Sequence, residues 1–130
     1  MRLFVLLILA VVVAAALVVG ILLVWRQMDR QSAMEAVQTW GRLAPLPSSA
    51  TDLTVTVEGS AFTRAFRVSF RAPAADVNRW LAESPGTKGV VPERSGSTWR
   101  YVIQPGGGAQ HAEVTVDDRD DSVRIYVYWS

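Results

Sequence analysis

Acid–base or nucleophilic catalysis in this chain would have to use its one histidine, His111. A catalytic histidine needs a nucleophile, a group that orients the imidazole, and an oxyanion hole. His111 follows the glycine run 106–108, and no G-x-S-x-G sequence occurs anywhere in the chain. Ser60, Ser95 and Ser97 stand in sequence contexts typical of turns. The pattern therefore predicts no catalytic residue, and it predicts that His111 is a solvent-exposed loop residue.

The acidic run 117–121 (DDRDD) is the one cluster of carboxylates that suggests a metal site. A calcium loop of the EF-hand type needs oxygen ligands at alternate positions, then a glycine, and later a bidentate glutamate. If Asp117 is the first ligand, Arg119 falls on the second ligand position. If Asp118 is the first ligand, Val123 stands where glycine is required. The absence of cysteine also excludes thiolate metal sites, disulfides and thiol catalysis. We predict no metal and no cofactor, and a solvated polar turn.

Two further kinds of site fail on residue spacing. The segment 84–89 (SPGTKG) has the residue types of a phosphate-binding loop without the G-x-x-x-x-G-K-[ST] spacing, and it is predicted to end a helix instead. Glycoside hydrolysis needs two acids that face one cleft. Glu58, Glu93 and Glu113 are scattered over predicted turns and strand faces. An envelope hydrolase that uses these carboxylates is the alternative function in the enzyme class.

The most distinctive polar pattern belongs to two predicted strands. Arg124, Tyr126 and Tyr128 share one face of the last strand, and Arg67 and Arg71 lie on the outward face of the second. If these strands are neighbours, arginine and tyrosine together form the open face of the sheet. Such a composition is typical of protein interfaces, because both residue types give a large contact area with polar tips. The alternative interpretation is that tyrosine is a good strand former that packs across strands.

The element that precedes these strands is strongly apolar. Residues 3–25 contain no charged side chain. At about 1.5 Å per residue they span about 34 Å, enough for a hydrocarbon core of roughly 30 Å. We predict that 1–25 is a transmembrane anchor that contacts the lipid bilayer through 3–25. A cleaved secretory signal is the alternative, but its apolar region is about 7–15 residues long. Trp25 and the following Arg26 and Arg30 suit the exit from a bilayer.

Two signals oppose each other on the orientation of this helix. Positive charge is slightly greater after the helix, at Arg26 and Arg30, than before it, at the amino terminus and Arg2. By the positive-inside rule this favours a cytoplasmic location for the residues after the helix. The two-residue head resembles an uncleaved signal-anchor, which exports the residues on its C-terminal side. We predict a cell-membrane, single-pass protein whose soluble domain is extracytoplasmic. The ratio of twelve arginines to one lysine indicates a bacterial source with a GC-rich genome.

Residues 26–50 are predicted to be a juxtamembrane helix followed by a Pro/Ser linker. The helix ends at Gly41, and 43–50 (LAPLPSSA) is predicted to be extended. One face of this helix carries an apolar stripe that consists of Ala33, Ala36, Val37 and Trp40. The stripe either packs on the domain or the lipid surface, or forms a dimer interface. A coiled coil needs three or four heptads, so packing is favoured. A homodimer through the membrane helix and the stalk is the open alternative, for which the small-xxx-small pair at 16 and 20 is weak support.

A two-residue period begins near Thr51, so the soluble domain is predicted to span 51–130. Five segments alternate apolar and polar residues as half-buried strands do. They are 53–57, 62–70, 99–103, 112–116 and 122–129. A helix is predicted at 74–84, with an apolar face of Val77, Trp80 and Leu81. The fold class is therefore α+β: a small antiparallel β-sheet (ββαβββ) with one packed helix, preceded by a single transmembrane helix.

Several details of this domain stay open at the level of sequence. Phe62 and Trp129 are predicted on the inward face of their strands, and 87–97 is predicted to be a loop. Arg64 falls on the same face as Phe62, which is unusual for a charged residue. A bulge, a position at the edge of the sheet, or contact of the guanidinium with an acid such as Asp52 would each accommodate it.

Charge and the absence of chemical motifs favour an interaction function. Residues 51–130 hold nine Lys or Arg and ten Asp or Glu, so no concentrated basic face for nucleic acid is expected. We expect a membrane-anchored, non-enzymatic domain whose partner is an envelope protein. A third function class is a small-ligand-binding sensor with the glycine run 106–108 as a lid. That function needs a pocket between helix and sheet.

Overall fold

The computed structural model describes residues 1–130 and begins with one continuous helix, α1 (Arg2–Trp40). Contacts divide the chain within this helix into two compact units, 1–31 and 32–130. The side chains of the first unit are exposed, and the helix is long and apolar enough, by length and composition, to cross a membrane or to serve as a signal anchor. Residues 26–40 contain neither proline nor glycine, which explains why the helix continues without a break.

The second unit is an α+β fold that contains β1 (Thr51–Gly59), β2 (Arg64–Arg71), α2 (Ala74–Glu83), β3 (Glu93–Ser95), β4 (Thr98–Ile103), β5 (His111–Asp117) and β6 (Ser122–Trp129). Its six strands form one antiparallel sheet in the order β1-β2-β6-β5-β4-β3. The antiparallel α+β prediction is confirmed, but the sheet has one strand more than predicted. The extra strand β3 lies within the segment 87–97 that was predicted to be a loop, and it pairs with β4. Its three polar residues are too few to show an alternating pattern.

The hydrophobic core lies on one face of the sheet. Alternate residues of the central strands point into it, as the two-residue period predicts. The strand residues buried in this core are Phe66, Val68, Phe70, Ile103, Ala112, Val114, Val123, Ile125 and Val127. Helix α2 contributes its predicted apolar face, and the rings of Phe70 and Trp80 meet edge to face with centroids 5.6 Å apart. Burial of these large side chains is the main favourable contribution to folding of this unit.

The end of α1 and the segment after it belong to this second unit. Ala33 and Val37 are buried in the same core, and so is Leu43. The Nε1 of Trp80 donates to the carbonyl oxygen of Ala44 at 3.0 Å, and the amide of Ala44 donates to the Oγ of Ser84 at 3.0 Å. The stripe on the helix therefore packs on the domain.

Two aromatic residues do not occupy the inward positions predicted for them. Phe62 has 81% of its surface exposed, because residues 60–63 form a turn in which the amide of Ser60 donates to the carbonyl oxygen of Thr63 at 3.0 Å. Strand β2 begins only at Arg64, which lies opposite Gly59 and Trp129 at the end of the sheet. Trp129 is 39% exposed there and does not fill the core. A strand-end position thus accommodates the charge of Arg64 without a bulge or an acidic partner.

Candidate functional site

The face of the sheet opposite the core is covered by no other element of the second unit. We call it the open face. Because strands alternate their side chains between faces, it carries the polar residues of five neighbouring strands. They include Thr54, Thr56, Glu58, Arg67, Ser69, Arg71, Thr98, Arg100, His111, Glu113, Thr115, Arg124, Tyr126 and Tyr128. Side chains from distant parts of the chain converge on this polar surface.

All five residues predicted as an interaction surface lie on this face. Strands β2 and β6 are neighbours, and Arg67 is directly opposite Tyr126. Arg124 lies opposite Ser69, Tyr128 opposite Ala65, and Arg71 opposite Ser122. Their common face follows from the alternation in each strand, whereas their proximity follows from the pairing of β2 with β6.

Tyr126 lies between an arginine and a histidine. The Cζ atom of Arg67 is 4.3 Å from the centroid of the Tyr126 ring, a cation–π geometry. The same guanidinium has its Nε 3.6 Å from the Oε1 of Glu58. On the neighbouring strand, the ring of His111 is 5.8 Å from that of Tyr126. These contacts fix the orientation of Tyr126 across three strands.

His111 is part of a charged cluster and not an exposed loop residue. It is the first residue of β5, it is half-buried, and its Nε2 lies 3.4 Å from the Oε2 of Glu113. The same Oε2 accepts a hydrogen bond from the Nε of Arg100 at 2.6 Å. That hydrogen bond, with the negative charge of Glu113, raises the pKa of Arg100. Sequence reasoning missed this cluster, because Arg100 and Glu113 meet only through the pairing of β4 with β5.

A groove of about 480 Å³ crosses the open face. Side-chain hydroxyls line much of it, from Thr54, Thr56, Ser69, Thr98 and Thr115. The charged residues that line it are Arg67, Glu113 and Arg124. Glu113 is its one carboxylate and already bonds to Arg100. The groove therefore offers hydroxyl groups and positive charge, and its one carboxylate, Glu113, is already paired with Arg100.

A smaller depression of about 270 Å³ adjoins Arg71. The guanidinium of Arg71 lies 4.0 Å from a carboxylate oxygen of Asp52 and 3.7 Å from one of Asp120. The pKa of Asp120 is lowered, mainly by hydrogen bonds from Ser122 and further by the charge of Arg71. A carboxylate whose pKa is lowered in this way stays ionised, so Asp120 is poorly suited to act as a general acid at neutral pH.

Asp117 departs from the predicted solvated turn, because it is buried at the end of β5. Its Oδ1 accepts hydrogen bonds from the amide of Arg119 at 3.0 Å and from the Oγ of Ser97 at 3.0 Å. The guanidinium of Arg119 lies 3.2 Å from its Oδ2. The hydrogen bonds from Arg119 lower the pKa of Asp117 to about 2, with a further contribution from Ser97. Asp117 is a structural carboxylate that ties the β3–β4 turn to the β5–β6 turn.

Comparison of this chain with known protein families, curated proteins and solved structures gave no match.

Proposed function

We propose that this chain is a membrane-anchored, non-enzymatic interaction protein whose open face binds a protein partner. The observation that carries the proposal is the convergence of Arg67, Arg71, Arg124, Tyr126 and Tyr128 on one uncovered face. Arginine and tyrosine are enriched where proteins bind one another. Both tyrosines are half-buried, and Tyr126 is held by Arg67 and His111, so little conformational entropy is lost when a partner covers it.

The pairing of the carboxylates supports binding over hydrolysis. A glycosidase-like hydrolase needs two acids in one cleft, one of which holds a proton near neutral pH. The groove is lined by one acid, Glu113, and the Arg71 depression holds two acids that both contact an arginine. A proton on any of these carboxylates would break an ion pair.

The small-ligand alternative would use a different part of the molecule. A depression of about 300 Å³ lies between α2 and β4, with Leu81, Trp99 and Tyr101 among its lining residues. This volume is at the low end of the range for ligand pockets, about 300–1,000 Å³. The glycine run does not line it. The amide of Gly106 donates to the carbonyl oxygen of Trp40 at 2.8 Å, which supports a packed loop and not a lid.

The helix α1 supports the membrane part of the proposal through its length and apolar composition. We further propose that the second unit lies on the extracytoplasmic side, as expected if α1 acts as an uncleaved signal anchor that exports the residues on its C-terminal side. The proposed partner is then a protein of the cell envelope.

Photo-crosslinking tests the proposal in the cells that make the protein. A benzoylphenylalanine at Thr56, exposed on the open face, should give a discrete adduct, whereas one at Glu83, exposed on α2, should not. The Thr56 adduct should disappear when Tyr126 and Tyr128 are both replaced by serine. Equal adducts from both positions, or none from Thr56, would overturn the proposal.

A further inference from the structure

Arg124 differs from the other arginines of the open face, because it has no acidic partner. Arg67, Arg71 and Arg100 each lie within 4.0 Å of at least one carboxylate oxygen. Arg124 is exposed near the middle of the sheet, and its cross-strand neighbours on β2 and β5 are Ser69 and Thr115. These neighbours are neutral. The guanidinium of Arg124 is therefore a free, planar donor group in the groove.

The shape of the groove fits an extended chain that lies across the strands. Its lining runs from Thr54 on β1 to Thr98 on β4. The five strands in this interval have four spacings of about 4.8 Å, so the groove is about 19 Å long. An extended peptide covers this length with about six residues, at about 3.3 Å each. Hydroxyl groups along the groove can donate to and accept from the peptide backbone of such a segment.

The same lining is poorly suited to a carbohydrate. Sugar rings are usually bound against the flat side of an exposed aromatic ring. Tyr126 is the one aromatic residue that lines the groove, and the Arg67 guanidinium lies over its ring at 4.3 Å. His111 packs against the same ring with centroids 5.8 Å apart. A sugar would have to displace these contacts before it could stack.

We infer that the groove binds an extended acidic segment of a protein partner, with a carboxylate of that segment paired to Arg124. A guanidinium and a carboxylate form two parallel hydrogen bonds, which give direction as well as attraction. The inference rests on the proposed function and adds the chemistry of the partner. It also assigns Arg124 a binding role distinct from that of Arg67, Arg71 and Arg100, whose guanidinium groups are already paired with acids of the chain itself.

The test uses the full chain in nanodiscs of neutral phosphatidylcholine. The probe is a hexapeptide of alternating serine and glutamate that carries an uncharged fluorophore, and its binding is followed by fluorescence anisotropy. Arg124→Gln should weaken binding about tenfold, the effect of losing one charge-assisted interaction. Arg64→Gln is the matched control, because Arg64 is also exposed and without an acidic partner but does not line the groove. It should leave the affinity unchanged.

Three results would overturn this inference. One is equal weakening by Arg124→Gln and Arg64→Gln, which would indicate general charge attraction. The second is equal binding of a peptide in which glutamine replaces glutamate. The third is failure of the acidic peptide to bind a correctly folded wild-type chain. If the Thr56 crosslink persists in that case, the open face binds a partner of other chemistry and the proposed function stands. Loss of the Thr56 crosslink as well would overturn both this inference and the proposed function.

Discussion

Arg67 and Tyr126 are directly opposite each other in the β2–β6 ladder, and the Arg67 guanidinium also lies 4.3 Å from the centroid of the Tyr126 ring. A contact at this distance on a partly exposed surface stabilises by about 0.5–1 kcal/mol. We expect a double-mutant cycle with Arg67→Ala and Tyr126→Ala to give a coupling free energy of that size in urea unfolding. The same cycle with Arg71→Ala, whose ladder partner is Ser122, should give a coupling near zero. Equal coupling in both cycles would contradict the pairing.

Replacement of Tyr126 and Tyr128 by serine should leave the fold intact. Both side chains lie on the open face and contribute nothing to the core cluster. By contrast, Phe70→Ala should lower the free energy of unfolding by about 3–5 kcal/mol, because Phe70 is fully buried against Trp80. Near-ultraviolet circular dichroism and thermal unfolding compare the variants. If the double tyrosine variant unfolds, those rings belong to the core and the open face loses its main contact area.

Asp117 should make folding stability depend on pH in the acid range. Its pKa in the folded state is about 2, below the ordinary value of 3.8, so the folded state binds fewer protons than the unfolded state there. The stabilisation is complete above the ordinary value and is lost as the pH falls toward 2. Asp117→Asn should be less stable at neutral pH, and its urea midpoint should fall less between pH 5 and pH 2. The control is Asp121→Asn, which changes an exposed carboxylate of the same turn. Identical pH profiles for Asp117→Asn and wild type would contradict this role.

Gly86 should not tolerate a side chain. A Cβ at this position would lie 2.1 Å from the carbonyl oxygen of Gly41, and the Gly86 amide donates to the carbonyl oxygen of Arg42 at 2.7 Å. Gly86→Ala must push the turn after α2 away from this backbone, so we expect a loss of about 1–3 kcal/mol in unfolding free energy. The matched control is Gly89→Ala, since its Cβ would meet no atom within 4 Å and its cost comes from a φ of +77° alone. A loss no larger than that of Gly89→Ala would show that the turn is free to move.

The orientation of the protein has a direct test. A tag placed after Ser130 should be lost when intact spheroplasts are treated with protease, because we propose that the second unit is extracytoplasmic. Protection of the tag, with loss only after lysis, would place the unit in the cytoplasm. The search for a partner would then turn to cytoplasmic proteins that dock at the membrane.

Alternation of residue types predicted which side chains share a face, but not which strands lie side by side. Arg67 and Tyr126 are separated by most of the domain in sequence, and their contact follows from a pairing of β2 with β6 that no local pattern encodes. Arg124 was expected on this face, yet its lack of an acidic neighbour depends on Ser69 and Thr115 from two other strands. The sequence therefore predicted that these residues share a face of the sheet, but it did not predict the groove.

Other differences have local causes. Phe62 continues the two-residue period of its strand, but hydroxyl and backbone hydrogen bonds between Ser60 and Thr63 turn the chain before that period begins. The composition of 43–50 predicts an extended segment. The hydrogen bonds of Ala44 with Trp80 and Ser84 are tertiary contacts, which form only when α2 is in place.

The two edges of the sheet are unequal, and this limits how copies of the chain could associate through their strands. At one edge, β3 has three exposed residues, two of them charged. At the other, β1 is nine residues long, with half-buried Leu53, Val55 and Val57 and no proline or lysine. The β1 edge therefore offers a longer row of unpaired backbone groups to another strand than β3 does. Two copies that paired through β1 would leave neither β1 edge free for a third copy. Association through this edge would therefore stop at a dimer and could not continue into a fibre.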